Sequence, residues 1–167
     1  MKVIDYIFFS KLSDKAFLSL RKRTHYNLHE ELNDSIQRLI VAIEPGSYIR
    51  PHRHPELDKW ECFLVFKGSA VMLIFSEEGK VMEKTELRYG GPAIGAEIPP
   101  GVWHTLAASS PGTILMELKP GPYIPLSEKD FAYWAPVENS DSCSQFEEWF
   151  RKAEVGAASP ENSTQLS

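Results

Sequence analysis

The chain has 167 residues, 43% of them hydrophobic and 25% charged, with a formal net charge of −5 at pH 7. That size and composition suit one globular domain with a core of its own, and exclude a disordered or collagen-like chain. The acidic balance, with Arg21-Lys22-Arg23 followed closely by Glu30 and Glu31, argues against a nucleic-acid partner. No stretch approaches the ~18 apolar residues of a membrane span.

The opening MKVIDYIFFSK lacks a basic leader, and Asp5 interrupts its short apolar run, so it does not read as a signal peptide. Cys62 and Cys143 lie far apart and form neither a metal-type pair nor a disulfide framework. The expectation is a reduced, cytoplasmic protein with no membrane partner.

In chain order, residues 3–9 read as a short apolar strand. A helix of a few turns should follow, with Ser13 as N-cap, Asp14 in its first turn, and Leu12, Ala16, Phe17 and Leu20 at helical spacing. From Ile36 the texture changes to short apolar or alternating runs broken by turn residues: 36–43, 60–66, 70–75, 81–87, 93–98 and 113–118. Evenly spaced strands without intervening helices predict an all-β sandwich or closed barrel. Residues 144–152 predict a terminal helix with Phe146, Trp149 and Phe150 on its apolar side, and a loose tail is expected from about residue 156. The organisation is therefore an N-terminal strand and helix (1–35), a β core (36–120), an extension with a helix (121–155) and a tail (156–167).

The chemistry concentrates in the run from Gly46 to His54. Alternate residues of an extended chain point the same way, so His52 and His54 can present both imidazoles to one point. Glu61 opens the next apolar run and can return a carboxylate to it, with Glu56 as the rival. His104 follows the Pro99-Pro100-Gly101 turn. Such imidazole and carboxylate donors suit one divalent Fe, Mn, Ni, Co or Zn ion, and on a six-coordinate metal would leave positions open.

Gly46, His52, His54, Glu61 and Gly68, then Pro99, Gly101 and His104, resemble the two motifs of the cupin superfamily. Six residues rather than three or four separate His54 from Glu61, and Ala108 stands where the second motif has Asn. A closer resemblance is to the WbuC-type cupin fold metalloproteins of bacterial surface-polysaccharide gene clusters. It rests on Arg21-x-Arg23, Asn27-x-His29, Gln37-Arg38, the run from Glu44 to His54, Lys59-Trp60-Glu61 and the run ending Val102-Trp103-His104. The resemblance implies a cupin jelly-roll barrel, or double-stranded β-helix, with short N- and C-terminal helices. It also implies a metal on His52, His54, Glu61 and His104, and a role near lipopolysaccharide O-antigen synthesis.

Other residues carry secondary expectations. Tyr48 and Arg50 share the alternation of His52 and His54, so they are expected to line the cavity, and an inward Arg suits an anionic substrate; a rim salt bridge is its alternative. Arg53 should point away. Trp103 is pocket wall or core. Glu117, in an apolar strand, is a candidate general base or the partner of a buried Arg such as Arg38. Tyr48 is a further acid/base candidate, and the resemblance adds His29. The functional expectation is a metal-dependent enzyme, an isomerase, epimerase or oxygenase, acting on a sugar derivative or other small polar metabolite. The alternative is a non-catalytic, metal-containing sugar-binding module. The apolar run at residues 3–9 makes a homodimer, through strand exchange or dimer packing, a further expectation, with an edge strand added to its own barrel as the alternative.

Overall fold

The computed structural model describes residues 1–160. Asp5 accepts a hydrogen bond from the Phe8 N–H at 2.8 Å and starts helix α1, Tyr6–Leu18. One helix thus replaces the strand expected at residues 3–9 and the Ser13-capped helix expected after it. A short apolar run carries little periodicity of its own, and longer-range packing settles its state. Phe9, Leu12 and Ala16 fall on one helical face and are buried, whereas Tyr6 and Ile7 are exposed. The strand on which a strand-exchanged dimer would depend is therefore absent.

Eight strands follow: β1 (Arg23–Asn27), β2 (Ile36–Ile43), β3 (Glu61–Lys67), β4 (Ser69–Phe75), β5 (Val81–Arg88), β6 (Gly95–Ile98), β7 (Trp103–Ala108) and β8 (Thr113–Pro120). Helix α2, Cys143–Lys152, comes last. The strands form two antiparallel sheets, in the orders β1-β2-β8-β3-β6 and β5-β4-β7. This is the expected all-β, double-sheet jelly roll with a helix at each end. β1 and β7 escape a reading of hydrophobic pattern. The edge strand β1 is polar and half solvated, and every residue of β7 is buried, so neither alternates between apolar and polar.

Strand periodicity sorts the core into three clusters. Ile40 and Ala42 of β2 and Ile114 of β8 face outward and are covered by Phe9, Leu12 and Ala16 of α1. Ile43, Phe63, Val65 and Leu115 face the second sheet and meet Met72, Leu87 and Leu106. On that sheet's outer side, Leu73, Phe75, Trp103 and Ala107 pack against Tyr48, Trp134 and α2, through Phe146 and Phe150. The histidines converge where β7 begins and β3 starts.

Of the tail expected from residue 156, residues 161–167 lie outside the described residues. Gly156 donates to Val81 O (2.8 Å), and Ser159 to Gly79 O (3.1 Å), tying that stretch to the β4–β5 hairpin. Among the described residues no helix is long and apolar enough to cross a membrane.

Candidate metal centre

Three elements position the site. His52 pairs with the start of β7: its N–H donates to His104 O (3.0 Å), and the His104 N–H donates to His52 O (2.9 Å). The turn before β7 also holds the neighbouring chain, because the Gly101 N–H donates to His54 O at 2.7 Å. Glu61 is the first residue of β3, opposite Ile98, and only 2% of it is exposed.

The side chains meet around that carboxylate. Donor atoms of His52, His54 and Glu61 all lie within 4.8 Å of one another, so the group could hold a metal ion. His104 Nε2 is 2.9 Å from Glu61 Oε2, His54 Nε2 is 3.0 Å from Oε1, and His52 Nε2 is 4.0 Å from Oε2. The rival Glu56 is exposed, and it is Glu61 that the fold places among the histidines.

Hydrogen bonding on the far side of the rings fixes their chemistry. Nδ1 of His52 faces Arg50 O at 3.1 Å, and Nδ1 of His104 faces Val102 O at 2.9 Å. A carbonyl can only accept, so each Nδ1 carries the proton and each neutral Nε2 turns a lone pair inward. Nε2 of His104 lies 2.9 Å from a carboxylate oxygen, a distance met either by a proton on the imidazolium or by a cation that both atoms ligate. His54 Nε2, buried and close to Oε1, makes no aligned hydrogen bond. These donors fit a divalent transition metal held at roughly 2.0–2.2 Å.

Electrostatics agree. Burial, and then the adjacent His104, push the His52 imidazole down to about 3, leaving it neutral and able to bind a cation. Burial alone would raise the Glu61 carboxyl, but contacts from His104 and His54 and the charge of Lys119 hold it well below the usual carboxylate range. Lys119 Nζ sits 2.9 Å from Glu61 Oε1 and 2.6 Å from Glu117 Oε1. Burial opposes the charge on Lys119, yet its two carboxylate partners raise its pKa on balance.

The site opens on one side into a cavity of about 610 Å³ between the sheets, where His52, Glu61 and His104 share the wall with Leu39, Glu117 and Lys119. On the other side a smaller cleft of about 320 Å³ is bounded by His54, Phe131 and the segment after Pro120. Lys59 Nζ fixes that segment, donating to the carbonyls of Pro120 (3.2 Å), Gly121 (2.9 Å) and Pro122 (3.2 Å).

Several expected site residues are placed elsewhere. Tyr48 donates its hydroxyl to Pro136 O (2.7 Å) and stacks on Phe150 in the outer cluster, and burial raises its pKa. Arg50 turns away from the cavity to Glu128 Oε2 (3.1 Å), Ala132 O (3.1 Å) and the Phe131 ring. The alternation that grouped both with His52 fails because residues 47–51 form no strand. Trp103 precedes His104 on β7 and so faces the outer cluster, with Arg53 over its ring. Glu117 does line the cavity, but Lys119 pairs with it; Arg38 lies 3.6 Å from Asp34. His29 is buried on the cavity wall. Pattern reading passed over Lys119 and Gln37, although Lys119 sits two residues beyond Glu117 in an otherwise apolar strand, the spacing of one strand face.

Comparison with known proteins adds the fold and a family. A model described as "Domain of unknown function (DUF6016)" matches residues 4–87, half of the chain. No curated protein matches the chain. Among solved structures, BH2720 from Bacillus halodurans aligns with a TM-score of 0.51 and 16% identity, over 75% of this chain and 85% of that one. The conserved SPY1581 protein of unknown function from Streptococcus pyogenes aligns with a TM-score of 0.51 and 15% identity, over 74% of this chain and 90% of that one. A cupin-2 domain containing protein from Shewanella frigidimarina aligns with a TM-score of 0.44 and 20% identity, over 59% and 80% of the two chains. The fold is a double-sheet antiparallel jelly roll.

Proposed function

The chain belongs to the DUF6016 family, and from that premise we propose that it is a metal-dependent cupin enzyme that acts on a small metabolite. His52, His54, Glu61 and His104 hold one divalent ion, Fe, Mn, Ni, Co or Zn. The observation that carries this reading is the convergence of the His52, His54 and Glu61 donor atoms within 4.8 Å of one another, with His104 Nε2 2.9 Å from the buried Glu61 carboxylate, beside a cavity large enough for a substrate. The ion, when bound, supplies a Lewis acid for a substrate oxygen or, if it is iron, a redox centre.

The chain's own residues do the remainder. The carbonyls of Arg50 and Val102 keep His52 and His104 in the ligating tautomer. Lys119 balances Glu61 and Glu117 and presents an ammonium to an anionic substrate group. His29, with one ring nitrogen unpartnered on the cavity wall, is the candidate acid/base group. A sugar derivative as substrate, and a place near surface-polysaccharide synthesis, rest on sequence resemblance alone.

One observation favours the alternative, a non-catalytic binding module. Glu117 is tied to Lys119 and Tyr48 is outside the cavity, which leaves few free bases. The two readings separate on turnover. Protein loaded with each of the five metals is offered sugar phosphates, nucleotide sugars and small oxo-acids, with substrate loss and oxygen uptake followed. The enzyme reading expects metal-dependent turnover that His104→Ala abolishes. Binding without turnover across the whole panel would favour the module.

A further inference from the structure

The cavity changes character along its length, and strand register shows how. Gln37 of β2 pairs with Lys119 of β8, and Lys119 reaches Glu61 at the start of β3; this polar rung lies at the metal end. The next inward rung is Leu39, Glu117 and Phe63. Beyond it, Val41 pairs with Leu115 and Leu115 with Val65; Ile43 follows on β2. Side chains two apart share a face, so one wall runs from charged to wholly apolar within one strand length. The edge strand β1 sets a polar residue beside each of these rungs, Asn27 opposite Leu39, His25 opposite Val41 and Arg23 opposite Ile43; Arg23 is already engaged by Tyr48 O and Glu138.

His29 supplies an independent observation. Its Nδ1 lies 3.0 Å from Arg38 N. Nδ1 also lies 3.1 Å from Arg38 O, so it meets both a donor and an acceptor on the Arg38 backbone, and either tautomer is satisfied on that side. That Nε2 is buried with no hydrogen-bond partner among the described residues, His29 is 5% exposed, and the ring lines the cavity. An unmet buried polar atom is costly unless a ligand pairs with it.

We propose that the ligand of this cavity is amphipathic: an oxygen-donor head at the metal end, a polar group that pairs with His29 Nε2, and a hydrocarbon body along Leu39, Val41, Ile43 and Leu115. This deepens the metal-enzyme reading and rests on it. A molecule hydroxylated throughout fits less well, because the β2, β3 and β8 side chains of the inner rungs offer its hydroxyls no partners and burying them unpaired is unfavourable.

The test titrates metal-loaded protein calorimetrically with acetohydroxamate, butanohydroxamate and hexanohydroxamate, and with gluconohydroxamate as a polyhydroxylated control. Affinity should rise about three- to fourfold per added methylene, and gluconohydroxamate should bind no better than acetohydroxamate. Val41→Thr and Leu39→Gln alter half-buried positions; they should flatten the chain-length series relative to the wild type. A flat series in the wild type, or preference for gluconohydroxamate, overturns the proposal. If the protein takes up no metal, the metal reading fails by itself, and octanoate is then compared with acetate on the metal-free protein. Selective octanoate binding that Leu39→Gln weakens sustains the amphipathic cavity, and its absence overturns it.

Discussion

Glu61 and the three imidazoles around it show how little a residue's type determines without its neighbours. His52, which burial pushes down to about 3, has a consequence that can be measured. An unfolded histidine titrates near about 6.5. Between that value and the folded one, the unfolded chain binds the extra proton, so stability rises with pH across the window. The contribution is fully present above the unfolded pKa and is lost as pH falls toward the folded one. Metal-free protein should therefore show a lower urea midpoint at about pH 5 than at about pH 7.5. His52→Leu should make that fall shallower, and equal slopes in the two proteins would contradict the assignment. The histidines and Glu61 were legible in the sequence because spacing and charge mark them. Tyr48 and Arg50 were misread because the alternation argument assumed a strand that residues 47–51 do not form.

At the scale of elements, turns do the positioning. Gly68 joins β3 to β4 at φ +75°, and a Cβ there would lie 2.5 Å from Thr113 Oγ1 and 2.8 Å from Ser110 Oγ. Gly101, which holds His54 from the turn before β7, has φ +78° but nothing within 4 Å of such a Cβ. Gly101→Ala should bear only the left-handed backbone penalty, about 1–2 kcal/mol. Gly68→Ala should cost more, because backbone strain and steric overlap add. Chemical denaturation of both variants measures the difference, and an equal or reversed order would contradict this account. Most strand positions were legible from apolar runs and turn residues. β1 was not, because a polar edge strand carries no hydrophobic signal, nor β7, because burial on both faces removes alternation. The helix at Tyr6–Leu18 depends on tertiary contact: Phe9, Leu12 and Ala16 find the outer face of β2 and β8, and no local pattern announces that partner.

At the scale of the whole molecule, α1, two sheets and α2 leave a polar pocket between layers that bury hydrocarbon. The jelly roll was legible from strand spacing and the two histidine motifs. The salt-bridge chain from Glu61 through Lys119 to Glu117 was not, since it depends on the register of β3 against β8. Without a cation, that pocket sets two carboxylates and inward lone pairs against one ammonium; a divalent ion relieves the imbalance. The most direct measurement is metal stoichiometry by elemental analysis after equilibrium dialysis of the wild type and Glu61→Gln against each of the five metals. The account expects close to one ion per chain in the wild type for at least one metal, and at least a tenfold weaker hold in Glu61→Gln. A wild type that retains none of them, or a Glu61→Gln protein that retains as much, would contradict it.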